Sequence, residues 1–239
     1  MTWTEWNRGV EVEPSIYAGD FSRLGEQLEA LLDAGARIFH YDVADGHFVD
    51  EITIGPIVIE SIADIVHSRG GVLDCHLMVT EPDRHFEQIK TAGGDSVTFH
   101  VEAVSKPANA AARARSLGLG VGVAFNPETS VAEAVAAGDG ADLVLCMSIH
   151  PGLSGQELMP EALDRIAELR RLLPADVPVQ VDGGVHLANI TSVRGAGADL
   201  LVSGSAVFWG DDPGAAYREL VDAASDRAAD MTTTTQGAG

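Results

Sequence analysis

The chain has 239 residues, of which 46% are hydrophobic, 21% are charged and 5% are aromatic. This length and apolar content are sufficient for one large domain with a buried core. No stretch approaches the ~18 unbroken apolar residues of a membrane helix. Residues 1–8 have neither the basic nor the apolar region of a secretion signal. We therefore expect a cytoplasmic protein that does not bind membranes.

Acidic residues outnumber basic ones by 36 to 15, which gives a formal net charge of −21. Such a surface repels phosphate backbones, and no basic cluster interrupts it, so the charge argues against nucleic-acid binding. A saline host or a well-solvated surface would each explain the acidity, and we favour the second. Since lysine occurs only at positions 90 and 106, any bound anion must be held mostly by backbone N–H groups.

Short β-branched apolar runs alternate with stretches of helical period along the chain. The eight predicted strands are 10–17, 38–44, 72–79, 96–101, 121–125, 143–149, 177–181 and 200–208. A predicted helix follows each strand. The third helix begins at residue 82 and the fourth ends at residue 117, and the other six span 20–32, 57–67, 131–137, 161–173, 187–194 and 214–224. In the first helix, Phe21 is expected on the buried face with four leucines. Four helices are followed by a glycine suited to a left-handed cap, namely Gly35, Gly93, Gly140 and Gly197.

Strands that are buried on both faces read as nearly continuous apolar runs, as these do. Eight strand–helix pairs in a chain of this length predict an α/β fold, a single (β/α)8 TIM barrel over residues 1–229. A doubly wound open sheet is the alternative, but it usually has fewer strands and an early Gly-rich turn, which this sequence lacks. Residues 230–239 show no periodicity and are predicted to be a disordered tail.

Polar residues stand near the C-terminal ends of three predicted strands, where barrel active sites lie. His40 and Asp42 are two residues apart and so share one side of strand two, while His76 and Asp182 lie near the ends of strands three and seven. Each has an ordinary alternative, as a hydrogen-bonded core histidine or an aspartate that starts a turn. Together they favour a site for one divalent transition metal, because buried carboxylates and imidazoles are costly unless paired or metal-bound.

Glycine turns follow the last two strands, at Gly183-Gly184 and at Gly204-Ser205. The loops after strands seven and eight form the usual phosphate site of such barrels, where backbone N–H groups point at the anion. The loop at 150–156, after strand six, could close over this site. Each turn alone is a weak signal, but together they favour a phosphorylated small substrate.

Eight segments support a more specific interpretation, at 14–16, 40–49, 73–78, 98–102, 126–129, 147–152, 181–185 and 202–207. As an ordered set, from Pro-Ser-Ile to Val-Ser-Gly-Ser-Ala-Val, they resemble the ribulose-phosphate 3-epimerase family across residues 12–225. The resemblance implies a barrel of the ribulose-phosphate-binding type and an enzyme that acts in the pentose phosphate pathway. Its reaction would invert C3 of D-ribulose 5-phosphate to give D-xylulose 5-phosphate through an enediolate.

The resemblance also implies roles for individual residues. One zinc, iron, manganese or cobalt ion would be held by His40, Asp42, His76 and Asp182, and the two aspartates would serve as acid and base on opposite faces of C3. The implied substrate-binding residues are Ser15, His76, Met78, Met147, Gly152, Ser154, Gly155, Asp182, Gly183, Gly184, Gly204 and Ser205. We further expect a homo-oligomer whose partner is a small-molecule sugar phosphate.

The chain departs from the family pattern at Ala18, Ala44, residues 50–51, His150 and Ser154. None of these changes removes an expected metal ligand or base, but they leave the sugar open, and allulose 6-phosphate is an alternative substrate. At position 44 the family usually has Met, so Ala44 would leave a gap that Tyr17 could fill.

Two other functions stay open. Orotidine-phosphate and hexulose-phosphate barrel enzymes use an Asp-x-Lys-x-x-Asp strand motif, whereas the segment from Asp42 to Asp45 contains no lysine. A non-catalytic barrel that binds sugar phosphate is the second alternative, and the complete set of four candidate ligands argues against it.

Overall fold

A computed structural model describes residues 3–7 and 9–225 of the chain. Its strands within that part are β1 Glu11–Pro14, β2 Ile38–Ala44, β3 Val72–Met78, β4 Ser96–His100, β5 Gly120–Phe125, β6 Leu143–Met147, β7 Val179–Asp182 and β8 Leu200–Ser203. The α-helices are α1 Trp3–Trp6, α2 Leu24–Asp33, α3 Pro56–His67, α4 Phe86–Ala92, α5 Pro107–Ser116, α6 Val131–Ala137, α7 Ala162–Leu172, α8 Ile190–Ala196, α9 Ser205–Phe208 and α10 Pro213–Ser225. Short 3-10 turns occupy Ile16–Ala18, Pro82–Arg84 and Val101–Ala103.

All strand pairs are parallel, and the strands follow the order β1-β8-β7-β6-β5-β4-β3-β2. A further parallel bridge between Ser15 and His40 links the end of β1 to β2. The sheet is therefore a nearly closed barrel, and the predicted (β/α)8 TIM barrel is confirmed. The doubly wound alternative is wrong, because an open sheet would leave its two outer strands apart.

Local sequence signals begin and end the helices. Proline stands at the first turn of α3 and α5, where its fixed φ suits a helix start. At α6, the side chains of Ser130 and Glu133 cap each other's backbone N–H groups. Three of the four predicted cap glycines, at 35, 93 and 197, stand at the ends of α2, α4 and α8 with φ angles of 102°, 108° and 115°. The fourth, Gly140, has a φ of 77° but is not the cap, because α6 already ends at Ala137 and is capped by Gly138.

Several predicted boundaries were wrong; the first strand, for example, ends at Pro14 rather than at residue 17. The last strand ends at Ser203 rather than at Phe208, because the backbone leaves the extended region at Gly204 (φ −100°, ψ −85°) and continues as α9. The first long helix begins only at Leu24, so Phe21 precedes it and is 44% exposed instead of buried. The predicted tail, residues 230–239, lies outside the described residues.

The barrel differs between its two ends. At the N-terminal ends of the strands, Trp3 and Trp6 of α1 are 2% and 4% exposed and pack into a cluster with Ile38, Val72 and Leu200. Their rings meet edge to face, with centroids 5.3 Å apart and planes at 72°. This apolar plug closes the lower end of the barrel, whereas the opposite end carries the polar residues. None of the described helices has the length and hydropathy needed to span a bilayer.

The barrel interior has no room for a side chain at Gly122 of β5. A Cβ atom added to Gly122 would lie 2.2 Å from Thr98 Oγ1 and 2.7 Å from Leu143 Cδ1, on the two neighbouring strands. We expect Gly122→Ala to lower the free energy of unfolding by ~1–3 kcal/mol, the usual cost of overpacking a core. Gly210, which has open space at its Cβ position, provides the control, and Gly210→Ala should change stability little. Urea unfolding checks both variants, and equal stabilities would contradict the packing.

Candidate metal and active site

Four polar side chains converge where β2, β3 and β7 reach the upper end of the barrel. The register pairs Asp42 with His76 across β2 and β3, so that both face the barrel interior with His40. Asp182 is the last residue of β7 and lies beside the same cluster. His40, Asp42 and His76 are buried, at 5% exposure or less. The structure thus brings together all four residues that the sequence predicted as metal ligands.

The distances within this cluster suit a metal ion. His40 Nε2 lies 3.3 Å from both His76 Nδ1 and Asp42 Oδ1, and 3.9 Å from Asp182 Oδ2. His76 Nδ1 lies 3.0 Å from Asp42 Oδ1 and 3.6 Å from Asp182 Oδ2. Zinc bonds of about 2.1 Å in a tetrahedron place neighbouring ligand atoms about 3.4 Å apart. Two imidazole nitrogens and two carboxylate oxygens at these separations are positioned to bind one divalent cation.

The two aspartates of the cluster differ in their affinity for protons. Burial raises the pKa of Asp42, but attraction and hydrogen bonds from His40 and His76 outweigh burial and hold that pKa well below its usual range. Burial and the negative charge of Asp42 raise the pKa of Asp182 to about 7. Ser15 Oγ donates a hydrogen bond of 2.6 Å to Asp42 Oδ2, which fixes the second carboxylate oxygen. Near neutral pH, the cluster therefore contains one ionised carboxylate and one that readily takes a proton.

A second layer of polar side chains lies beneath the cluster. His40 Nδ1 lies 3.3 Å from Asp74 Oδ2 and 3.9 Å from Glu13 Oε2. Gln180 Nε2 donates to Asp74 Oδ2 at 2.8 Å and to Glu13 Oε2 at 2.5 Å. All three are completely buried, and burial together with the charge of Asp74 raises the pKa of Glu13 to about 8. None of these three residues was predicted, although each lies two positions before a predicted site residue, in the same alternation.

A cavity of about 150 Å³ opens above the cluster. Eleven of the twelve residues that the resemblance implied for substrate binding line it, namely Ser15, Met78, Met147, Gly152, Ser154, Gly155, Asp182, Gly183, Gly184, Gly204 and Ser205. The twelfth, His76, is fully buried below the cavity. The loop after β6 forms part of the wall, as expected. Leu153, Gln156, Glu157, His186 and Trp209 also line the cavity and were not predicted.

The side chains that pack beside Ala44 differ from the one that was expected. Ala44 packs with Val49 and Met78, and the partly buried Phe48 packs against them. Tyr17, the side chain predicted to fill the gap, instead lines the cavity. Phe48 comes from the loop after β2, so its position depends on a chain reversal that the sequence pattern did not reveal.

Comparison with solved structures supports the barrel fold. A thiamine phosphate pyrophosphorylase from Pyrococcus furiosus aligns with a TM-score of 0.66 at 18% identity, covering 91% of this chain and 96% of that one. An orotidine 5'-phosphate decarboxylase from Pyrococcus horikoshii OT3 gives 0.64 at 14% identity, covering 89% and 98%. At such low identity these similarities show the fold alone.

Sequence comparison is more specific. The chain is 37% identical to the ribulose-phosphate 3-epimerase of Escherichia coli strain K12 over 214 residues, which is 88% of this chain and 92% of the relative. The corresponding enzyme of Schizosaccharomyces pombe is 38% identical over 204 residues, 85% of this chain and 89% of the relative. A sequence model described as the Ribulose-phosphate 3 epimerase family matches residues 11–208. The chain therefore belongs to the ribulose-phosphate 3-epimerase family.

Proposed function

We propose that the protein is a metal-dependent epimerase that interconverts D-ribulose 5-phosphate and D-xylulose 5-phosphate by inverting C3. The observation that carries this proposal is the convergence of Asp42, Asp182 and two histidines in one cluster that borders the cavity. Relatives at 37–38% identity that are named for this reaction support it. The pKa values of the two aspartates are displaced in opposite directions, as is typical of an acid and a base that work on one substrate.

His40, Asp42, His76 and Asp182 would hold the cation. When bound, a divalent ion supplies a Lewis acid that stabilises the negative charge developing on the ketone oxygen of the substrate. Zinc, iron, manganese and cobalt all accept this mixture of nitrogen and oxygen ligands. The salt-bridge partners of Asp42 and Asp182 in the described part of the chain are His40 and His76, so a cation would offset the two carboxylate charges.

The proton transfers follow from the two aspartates. Asp42, ionised, accepts the C3 proton from one face of the substrate, and the electron pair of the broken C–H bond moves into the enediolate. Asp182, protonated, returns a proton to C3 from the opposite face, which inverts the carbon. The reverse reaction exchanges these roles. Without a bound cation, the pKa of Asp42 is lowered and that of Asp182 is raised, which are the directions that these starting states require.

The far end of the cavity suits the substrate phosphate. None of its lining residues is a lysine or an arginine, so backbone N–H groups at the glycine turns would bind the dianion. Gly183 and Gly184 have φ angles of 114° and 66°, and a Cβ atom on Gly184 would lie 2.4 Å from the backbone nitrogen of Leu158. The turn therefore requires glycine both for its conformation and for its close contact with the loop after β6.

The first test concerns the metal. Protein purified without chelators should contain one equivalent of a divalent transition metal, measured by elemental analysis. Removing that metal with a chelator should abolish epimerisation, and adding it back should restore the activity. Full activity after complete removal would contradict the metal assignment.

The second test separates the two aspartates. Asp42→Asn and Asp182→Asn should each lower kcat for epimerisation by at least ~10²-fold, within the range that general acid–base groups contribute. One of the two variants should still exchange the C3 proton of a single epimer with deuterium oxide, because one half of the proton transfer remains. Mass spectrometry of recovered substrate measures this exchange, and thermal unfolding checks the fold. Normal turnover in either variant would exclude the two-aspartate mechanism.

The third test addresses the alternative substrate. Because Phe48 occupies the space beside Ala44 and Met78, we expect kcat/KM to favour ribulose 5-phosphate over allulose 6-phosphate by ~10–200-fold, the usual discrimination for one extra carbon in a pocket. Phe48→Ala should reduce this ratio by reopening the space. Equal values of kcat/KM for the two sugars in the wild-type protein would favour the hexulose phosphate alternative.

A further inference from the structure

His76 contacts a second histidine on the side that faces away from the metal cluster. Its Nδ1 faces Asp42, whereas its Nε2 lies 2.8 Å from Nε2 of His100, the last residue of β4. Both side chains are completely buried. The ring centroids are 5.0 Å apart and the planes are inclined by 22°. Since the two nitrogens are much closer together than the centroids, the rings meet edge to edge, as in a hydrogen bond.

The positions of the protons follow from the next residue. His100 Nδ1 lies 3.4 Å from Glu102 Oε2 without a hydrogen bond of regular geometry, and it has no other hydrogen-bond partner among the described residues. An ionised carboxylate only accepts hydrogen bonds. The proton of His100 therefore sits on Nδ1, and its Nε2 keeps a lone pair. That lone pair accepts the N–H of His76 Nε2. His76 Nδ1 lies 3.0 Å from Asp42 Oδ1 and can donate to it while no cation is bound, whereas with a cation in the cluster Nδ1 would offer its lone pair and the proton of His76 would lie on Nε2. A neutral His76 in this tautomer is the form that can bind a cation.

We propose that Glu102 is a positioning residue that acts through His100 to fix the metal-binding tautomer of His76. The proposal rests on the metal site proposed above and assigns to these two residues a role in that site. In metal proteins, a carboxylate commonly orients a ligating histidine in this way. Here one additional imidazole stands between the carboxylate and the ligand.

The neighbouring strands explain why an intermediate residue is needed. His40 has a carboxylate beside it, because Asp74 of β3 lies opposite His40 of β2 in the register. His76 has Thr98 opposite it on β4. The nearest partner for His76 is therefore His100, two residues farther along β4, and the carboxylate follows at Glu102.

The two oxygens of Glu102 have separate partners. Oε1 accepts the backbone N–H of Asn126 at 2.8 Å and the hydroxyl of Thr129, which hold the loop after β5. Oε2 faces His100. The phenyl ring of Phe48 covers His100 from the other side, with centroids 4.7 Å apart. The contact with the loop and the contact with the imidazole can therefore be removed one at a time.

Glu102→Gln provides the test, because the amide can be oriented in only one way. The N–H of Asn126 cannot become an acceptor, so the amide oxygen must take the place of Oε1 and the NH₂ group must face His100 Nδ1. This reverses the tautomer of His100 and places a proton on the metal-facing nitrogen of His76. We expect the variant to bind zinc about tenfold more weakly than the wild type, in competition with a fluorescent chelator, at the lower end of the range for such partners.

Thr129→Val is the matched control. It removes one contact of Oε1 but keeps the charge of Glu102 and its contact with His100, so its zinc affinity should stay within about twofold of the wild-type value. An equal loss of affinity in both variants would overturn the proposal, because it would assign the effect to the loop. Wild-type affinity in Glu102→Gln would overturn it as well.

A measurement on the wild-type protein does not depend on the folding of any variant. Nitrogen-15 NMR of histidine-labelled, zinc-loaded protein should show His100 protonated at Nδ1 and His76 protonated at Nε2. The opposite tautomer of His100 would overturn the proposal even if zinc binds tightly. Failure of the wild-type protein to bind zinc or cobalt stoichiometrically would instead remove the metal site itself, and the proposal with it.

Discussion

The burial of negative charge inside a closed barrel is the constraint on which the rest of this structure depends. Four carboxylates, Glu13, Asp42, Asp74 and Asp182, surround His40 within 4 Å of its ring nitrogens. Ionised groups removed from water are costly unless they are paired, hydrogen-bonded or neutralised by a proton or a cation. Three of these compensations occur here. Asp74 accepts hydrogen bonds, the raised pKa values of Glu13 and Asp182 favour their protonated forms, and Asp42 is paired with two imidazoles. A divalent cation would complete the compensation at the upper layer.

The polarity of the barrel changes along its axis, and this gradient determines where the chemistry can occur. Tryptophans 3 and 6 pack into the apolar cluster at the lower end, whereas the cavity at the upper end borders Asp42 and Asp182 of the polar layer. A site that is dry on one side has a low effective dielectric, which strengthens the interactions among Asp42, His40 and His76. The same dryness makes every unpaired donor or acceptor expensive, which explains why both candidate histidine ligands have partners behind them.

Alternation along the strands made much of the site predictable, and its limits are physical. His40 and Asp42 could be paired from sequence because side chains two residues apart share a face of a strand. The same rule, extended by two residues from His76 and Asp182, would have identified Asp74 and Gln180 as a second layer. The contact between His76 and His100 could not be predicted in this way, since it depends on the tilt and register of two neighbouring strands. Strand eight was predicted too long because β8 and α9 are both apolar, and only the turn at Gly204 separates them.

The proposed substrate is a dianion, and the chain has a net charge of −21, so the two repel each other. The residues that line the cavity indicate how such a substrate would still be bound. The lining residues include neither lysine nor arginine, and Asp42 and Asp182 lie at the cavity floor. In the proposed function, attraction would come from backbone dipoles at the glycine turns and from the bound cation. Gly155 contributes by its lack of a side chain, because a Cβ atom there would lie 2.6 Å from the Trp209 ring, so the loop after β6 can rest against the indole. Recognition of the phosphate would thus depend on the path of the backbone, which glycine allows.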